Sequence, residues 1–557
     1  MKLKGAEILV ETLIEQGVDT IFGYPGGAVL NIYDALYARQ DKIRHILTSH
    51  EQGAAHCADG YSRSTGKTGV CLATSGPGAT NLVTGIATAF MDSIPMIAIT
   101  GNVDVNLIGR DSFQEVYIAG ITMPITKHNF VVRDVTKLAD TVRQAFMIAN
   151  SDRPGPVLID IPKDITAALC EYEPQPPVQP VRDIPEVKDE TLDMIADLIR
   201  QSERPVLYFG GGIVLSDAAD IINAFVEKTK IPVCHSAMGT GVISHRNPLD
   251  LGMIGMHGTV VSSLAAENCD LLLAVGARFS DRVATKINYF APHATIIHLD
   301  IDAAEINKNV HVDYGIVADA KDVMTRLYDR VEEKHIESWH AQIREWRETK
   351  EYKPVSSDTC IKPHQLMGVI NDNIRPDDII TTDVGQHQMW AAQYCTRTNS
   401  RTFISSGGLG TMGFGYGAAM GSKVGNPDKT VVHITSDGSF QMNLNEIVTA
   451  VTYHIPVITV VLNNQVLGMV RQLQSVFCGK RFIATEVPKK VDYVKMAESF
   501  GAKGYSCKTL EEFEKAFREA VALGCTCVIE CVIDKEEFVL PMIPSGGTVQ
   551  TIITEKP

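Results

Sequence analysis

Long apolar runs are the first thing this 557-residue chain lacks. Its strongest stretches, VITVVL and LLLAVGA, fall far short of the ~20 apolar residues that a membrane-spanning helix needs. Positive charge is also scarce, with 51 Lys and Arg against 66 Asp and Glu and a formal net charge of -15. That balance argues against nucleic acid and against an anionic membrane surface, both of which call for a dominant basic patch. An anionic substrate must therefore meet local positive groups. The 12 cysteines include no C-x-x-C pair, and several sit in apolar runs such as GVCLAT and CTCVIECVI. Buried thiols of a cytoplasmic protein are expected, not disulfides or a metal cluster. The opening MKLKGAEILVETLIEQG spaces Leu9, Val10, Leu13 and Ile14 at helical intervals between glutamates, so it reads as a first helix and not as a signal peptide.

What is present is the composition of a globular protein, 45% hydrophobic and 21% charged, long enough for about three domains. Residues 171–190, EYEPQPPVQPVRDIPEVKDE, are rich in proline and charge without a hydrophobic period and read as a linker. A second boundary lies at 345–360, where a charged helical stretch gives way to KPVSSDT. The expected segments are 1–170, 191–345 and 346–557. Each alternates short β-branched runs with longer helical patterns, which predicts α/β domains built on parallel sheets with crossover helices.

The first and last segments share more than a class. Residues 74–97, TSGPGATNLVTGIATAFMDSIPMI, align without a gap on 435–458, TSDGSFQMNLNEIVTAVTYHIPVI. Thr74/Thr435, Ser75/Ser436, Ile86/Ile447, Thr88/Thr449, Ala89/Ala450, Ile94/Ile455, Pro95/Pro456 and Ile97/Ile458 are identical, so one strand-loop-helix-strand unit is read as used twice.

In the second copy a strand is expected to end at Asp437, a turn at Gly438 to open a helix, and the next strand to end at Asn464. Parallel strands would place both polar side chains at the carboxyl edge, where open α/β sheets bind ligands and where helix N-termini offer free N–H groups to a phosphate. A carboxylate beside a phosphate makes sense with a hard cation between them, so the pair predicts a magnesium diphosphate site; an ordinary Asp-Gly turn and a strand-end Asn are the structural alternative. Gly408, Gly410 and Gly413 fit G-x-G-x-x-G but lack the preceding strand and the ribose-binding acid of a dinucleotide fingerprint.

SDGSF followed by LNN resembles the motif of thiamine-diphosphate enzymes. The resemblance implies that Asp437, Asn464 and the carbonyl of Val466 hold Mg2+, although Ser436 stands where the family usually has glycine. HEQGAAHCADGYSR resembles the family's glutamate motif, in which Glu51 would hydrogen-bond the cofactor's aminopyrimidine ring and drive the proton relay. Further cofactor contacts implied by GYPGGA, SGPGATN, DVGQHQMW, GLGTMG, SDGSF and NNQVLGMV are Pro25, Thr74, Asn81, Val384, Gly385, Gln386, His387, Gly410, Met412, Gly438, Ser439, Leu467, Gly468 and Met469. Met412 matches the apolar residue that keeps the cofactor bent.

GYPGGA, HEQGAA, RDSFQE, RPGPVLIDIPKD, GMHGT, VGARFSDR and HLDIDAAEINKNV together resemble the acetolactate synthase catalytic-subunit family over nearly the whole chain. That resemblance implies three doubly wound domains: pyrimidine-binding, central Rossmann-like and FAD-binding, and diphosphate-binding. It implies decarboxylation of pyruvate and transfer of the two-carbon unit to a second pyruvate or to 2-ketobutyrate. Gln114 would join Glu51 in catalysis, while Gly27, Phe113, Lys163, Arg282 and Leu473 would line the substrate channel, Arg282 gripping the acceptor carboxylate. FAD would lie at Gly210, Gly211, Gly212, His257, Gly276, Ala277, Arg278, Asp300 and Asp319. A homodimer or homotetramer is implied, Glu51 coming from one subunit and the magnesium end from another, together with a small regulatory subunit. Leu473 replaces a usual tryptophan of the acceptor pocket and Asp104 a usual proline at the channel mouth, which leaves the acceptor preference open, while Ser280 replaces a usual acid at a flavin contact. The alternatives are a flavin-free catabolic relative, against which GARFSDR argues, and a silent cofactor-binding paralogue, against which Glu51, Asp437 and Asn464 argue.

Overall fold

The β-branched runs become strands buried on both faces, as in Val431–Ser436 and Ile458–Asn463, because crossover helices cover each sheet on either side. The computed structural model describes residues 1–487 and 491–556. It contains three six-stranded sheets, each parallel throughout, so the expected α/β architecture is present three times.

The first sheet runs, in space, Arg44–Leu47, Thr20–Gly23, Gly69–Ala73, Met96–Asn102, Pro156–Pro162, His128–Val131. The third runs Phe403–Ile404, Ile379–Thr382, Val431–Ser436, Ile458–Asn463, Cys527–Val532, Lys503–Cys507. Numbered in chain order within each sheet, both have the order 2-1-3-4-6-5. The residues that align in sequence span the crossover from the third strand to the fourth in both sheets. The middle sheet runs Asp250–Met253, Val233–His235, Pro205–Phe209, Leu271–Val275, Thr295–Asp300, Tyr314–Val317, the order 3-2-1-4-5-6 of dinucleotide-binding folds.

Two details differ from the sequence reading. Lys2–Lys4 form a short strand antiparallel to Leu169–Glu171, and the first helix starts only at Gly5, whose N–H bonds the Ala168 carbonyl at 2.9 Å. The linker takes no regular structure over 172–188, yet Gln16 and Ser151 accept N–H bonds from Val178 and Val181 and hold it to the first domain. All 12 cysteines are free, and no helix among the described residues is long and apolar enough to cross a membrane.

The outer domains share one core. Helix Glu51–Thr65 lies against helix Phe414–Gly425, and both are rich in glycine and alanine along the contact. A side chain at Gly60 would collide with Ala418, one at Gly417 with His56 and one at Gly421 with the Cys57 carbonyl. Small residues therefore let the two backbones meet, and the helix that begins with Glu51 is anchored on the third domain.

Candidate active site

Glu51 is the first residue of its helix, capped by His50, whose Nδ1 accepts the Gln52 N–H at 3.1 Å. An acid there is favoured by the helix dipole. The side chain is buried, and Asn81 Nδ2 donates to its Oε2 at 2.9 Å. Gly78 leaves the space beside Oε1 open: an added Cβ would stand 3.1 Å from it. Thr74, at the end of its strand, has a buried hydroxyl with no partner. The Gly76 turn, at φ +58°, abuts the backbone of Gln114, itself at φ +58°. Pro25, Gly27, Phe113 and Lys163 lie exposed around this edge, Phe113 at 88%.

The third domain gathers its own set. Strands end at Ser436 and Asn463, so Asp437 and Asn464 are the first residues past the carboxyl edge. Asp437 opens a single helical turn, Asp437–Phe440, which starts one residue earlier than the sequence reading placed it. Its Oδ1 is buried without a partner, and burial, aided by the charge of Glu530, pushes the carboxyl up to about 6. Asn464 Nδ2 donates to Gln386 Oε1 at 3.4 Å, and its Oδ1 accepts the Val466 N–H at 3.2 Å. Gly468 is required beside Gln386, since a Cβ would overlap its amide, and Gly438 sits under Leu467. Gly410, at φ +71°, approaches Val384, and Ser439 accepts the Gly413 N–H at 3.3 Å. The structure thus brings Val384, Gln386, Gly410, Gly438, Ser439, Asn464, Leu467 and Gly468 to one edge. Met412 follows Gly410 on the same loop, partly exposed, and Met469 follows Gly468. A buried carboxylate oxygen with no donor, at the edge where neighbouring strands lead into Asp437 and Asn464, fits a divalent oxygen-seeking cation.

Below this edge is a network that sequence reading missed. Asp383 accepts from Gly415 N–H at 2.7 Å and Thr435 Oγ1 at 2.7 Å, with His433 Nε2 at 3.2 Å. Burial opposes its charge, but the His433 and Gly415 bonds outweigh that and hold it at about 2. Gly385, at φ +145°, and His387 follow directly; burial lowers His387 to about 4, and its Nε2 has no partner. Glu446 was missed as well. Its carboxylate takes the N–H groups of Ser49 and His50 at 3.0–3.1 Å, so the third domain positions the start of the Glu51 helix. Glu446 stands opposite Gly85 in the aligned copy, a local difference that does not tell a buried acid from a solvated one. Asp92, bonded to Gly407 and Gly408 N–H and to Arg63, is a third.

Among the described residues no hydrogen bond joins Glu51 to Asp437, Asn464 or Gln386.

In the middle domain, Gly210 and Gly212 pack on Gly276 and Ala277 where the first and fourth strands diverge, the crevice that binds ligands in open α/β sheets. Asp300 is buried and raised to about 6 by burial, and His257 has an unpartnered Nδ1. These groups suit a dinucleotide. Asp319 is less free than expected: one oxygen caps Asp322 N–H at 3.1 Å and the other pairs with Arg182. Arg278 is half-buried, 4.0 Å from Asp92. Arg282 is exposed beside Met256, whose N–H bonds the Arg282 carbonyl, and Leu473 is exposed on helix Gly468–Phe477.

Known proteins share this organisation. Residues 3–121 match the thiamine pyrophosphate enzyme N-terminal TPP binding domain, 192–327 its central domain and 383–531 its C-terminal TPP binding domain. The chain is 46% identical to a probable acetolactate synthase large subunit of Methanocaldococcus jannaschii, over 99% of this chain and 95% of that protein. It is 44% identical to the acetolactate synthase large subunit of Porphyra purpurea, over 99% and 96%, and 44% identical to that of Parasynechococcus marenigrum, over 98% and 90%.

Proposed function

The chain belongs to the acetolactate synthase large-subunit family of thiamine pyrophosphate enzymes, and from that premise we propose that it forms 2-acetolactate from two pyruvates, or 2-aceto-2-hydroxybutyrate from pyruvate and 2-ketobutyrate. This is the first common step of branched-chain amino-acid synthesis. The observation that carries the reading is the pair of prepared edges: a buried Glu51 oriented by Asn81, and a buried, unpartnered Asp437 oxygen at the sheet edge where the neighbouring strand leads into Asn464.

Thiamine diphosphate supplies a ring carbon that accepts and releases the reacting carbon, while the protein supplies orientation and proton handling. Glu51, its Oε2 held by Asn81, would exchange a proton with the pyrimidine ring through the open Oε1. The Asp437–Phe440 turn and Gly438 offer N–H groups to the diphosphate, and Asp437, Asn464 and the Val466 carbonyl would hold Mg2+. Met412, on the loop beside Val384, would support the bent cofactor. Arg282 would take the acceptor's carboxylate by its guanidinium fork, with Phe113, Gln114, Lys163, Gly27 and Leu473 along the approach. Within this reading residues 1–170 form the pyrimidine domain, 191–345 the FAD domain and 346–557 the diphosphate domain. FAD would lie in the crevice of the middle sheet, supplying no redox step.

A homodimer or homotetramer completes the site, since among the described residues no hydrogen bond within one chain joins Glu51 to Asp437, Asn464 or Gln386. Exposed apolar groups support this: Phe113, Tyr117 and Met123 near the Glu51 edge, and Val470, Leu473 and Phe477 on one helix of the other edge. A separate small regulatory subunit and a cytoplasmic location complete the proposal. Its test is acetolactate formation by wild type and Glu51→Gln with and without FAD. Flavin-dependent activity that collapses in the variant supports the biosynthetic reading; flavin-independent activity supports the catabolic relative.

A further inference from the structure

Away from the proposed active site, the middle domain gathers two histidines and a carboxylate that the chemistry above does not use. One ring nitrogen each of His235 and His245 and one oxygen of Asp250 lie within 4.8 Å of one another. They arrive from three directions. His235 ends the strand Val233–His235, Asp250 opens the neighbouring edge strand Asp250–Met253, and His245 lies on the crossover between them.

His245 Nδ1 stands 2.9 Å from Asp250 Oδ2, and its ring stacks on His235 with centroids 5.7 Å apart and planes 11° apart. His235 Nδ1 faces the Ser236 carbonyl at 3.0 Å. A carbonyl only accepts, so that nitrogen carries the proton and Nε2 keeps a bare lone pair. Nε2 is buried and has no hydrogen-bond partner, in a side chain only 1% exposed. A buried lone pair beside a carboxylate needs a donor or a cation. The second Asp250 oxygen is already taken by the Gly252 N–H at 2.9 Å, and Arg347 grips the Pro248 and Asp250 carbonyls, which fixes the start of the strand.

We infer that His235, His245 and Asp250 form a binding site for a divalent transition cation of the zinc class, clipping the 236–249 crossover to the edge strand. Two imidazole nitrogens and one carboxylate oxygen suit that class and not magnesium, and three protein ligands leave one tetrahedral position for water. An imidazole whose other nitrogen donates to a backbone carbonyl is oriented as metal-binding histidines are. Bonds of about 2.0–2.2 Å to a tetrahedral ion set its ligand atoms roughly 3.4 Å apart, so the 2.9 Å hydrogen bond between His245 and Asp250 would open and give its place to the cation.

The test is isothermal titration of zinc into full-length, metal-stripped protein re-saturated with magnesium and thiamine diphosphate. Wild type is expected to take one zinc per chain, and His245→Asn and Asp250→Asn to bind at least ~10-fold more weakly. Asp437→Asn should bind zinc as wild type does, which separates this site from the diphosphate edge. His245→Asn guards against a folding failure, because its partly exposed ring can be replaced without opening the core, and thermal melting of the zinc-free variants checks this. Cobalt(II) gives a second readout, with intense visible bands for a four-coordinate nitrogen-containing site. Zinc binding that is absent from wild type, unchanged in both variants, or lost in Asp437→Asn overturns the inference.

Discussion

The first and third domains have the same strand order and a shared stretch of sequence, yet they present opposite chemistry at equivalent edges. After its third strand the first domain has Thr74-Ser75-Gly76, neutral and small, and Gly78 keeps the space beside Glu51 open. The third domain has Ser436-Asp437-Gly438, a carboxylate aimed into a buried, polar edge. The scaffold is common and the edge residues divide the labour, so a site made from both halves can hold a ligand with a ring at one end and phosphates at the other.

Breaking one half while keeping the fold should have the largest effect. Glu51→Gln keeps the size and the Asn81 contact but removes the proton exchange, and acetolactate formation should fall at least ~100-fold with an unchanged thermal midpoint. Mixing broken halves sharpens the comparison. If each site takes Glu51 from one chain and Asp437 from another, co-expressed Glu51→Gln and Asp437→Asn chains should recover about a quarter of wild-type activity. Random pairing makes half the dimers mixed, each with one intact site of two. Recovery no greater than the parents' residual rates would mean that each chain builds its own site.

Stability variants probe how the halves hold each other. Glu446→Ala strands the Ser49 and His50 N–H groups at the start of the Glu51 helix and should cost about 2–3 kcal/mol, read by chemical denaturation, with Glu446→Gln recovering part. Asp383→Asn should cost on the order of 2 kcal/mol at neutral pH, from a carboxyl held near 2 against an ordinary value of about 4. The sign follows from the depression: the contribution is fully present above the unfolded value and is lost as pH falls towards 2. The gap between variant and wild-type melting temperatures should therefore close over that acid window and stay constant above it.

Much of this was legible without coordinates, because it rests on short-range signals. Asp437-Gly438 and Asn464 follow β-branched runs, and a residue that follows a parallel strand reaches the carboxyl edge whatever the rest of the chain does. Glu446 and Asp92 were not legible. Each acts on backbone N–H groups more than 300 positions away in sequence, and nothing local distinguishes such an acid from a solvated one. Asp319 shows the reverse case: the family resemblance places it at the flavin site, while packing gives it a helix cap and a partner in Arg182 of the linker.

Residue order alone settles the α/β class, the repeated unit, and the chemistry available at each strand end, since hydrophobic period and strand-end polarity are local properties of the chain. Packing decides which of those groups are buried without partners. The unpaired oxygen of Asp437 and the bare nitrogen of His235 exist only because distant segments close over them and exclude water, and burial is what turns an ordinary polar side chain into one that needs a ligand.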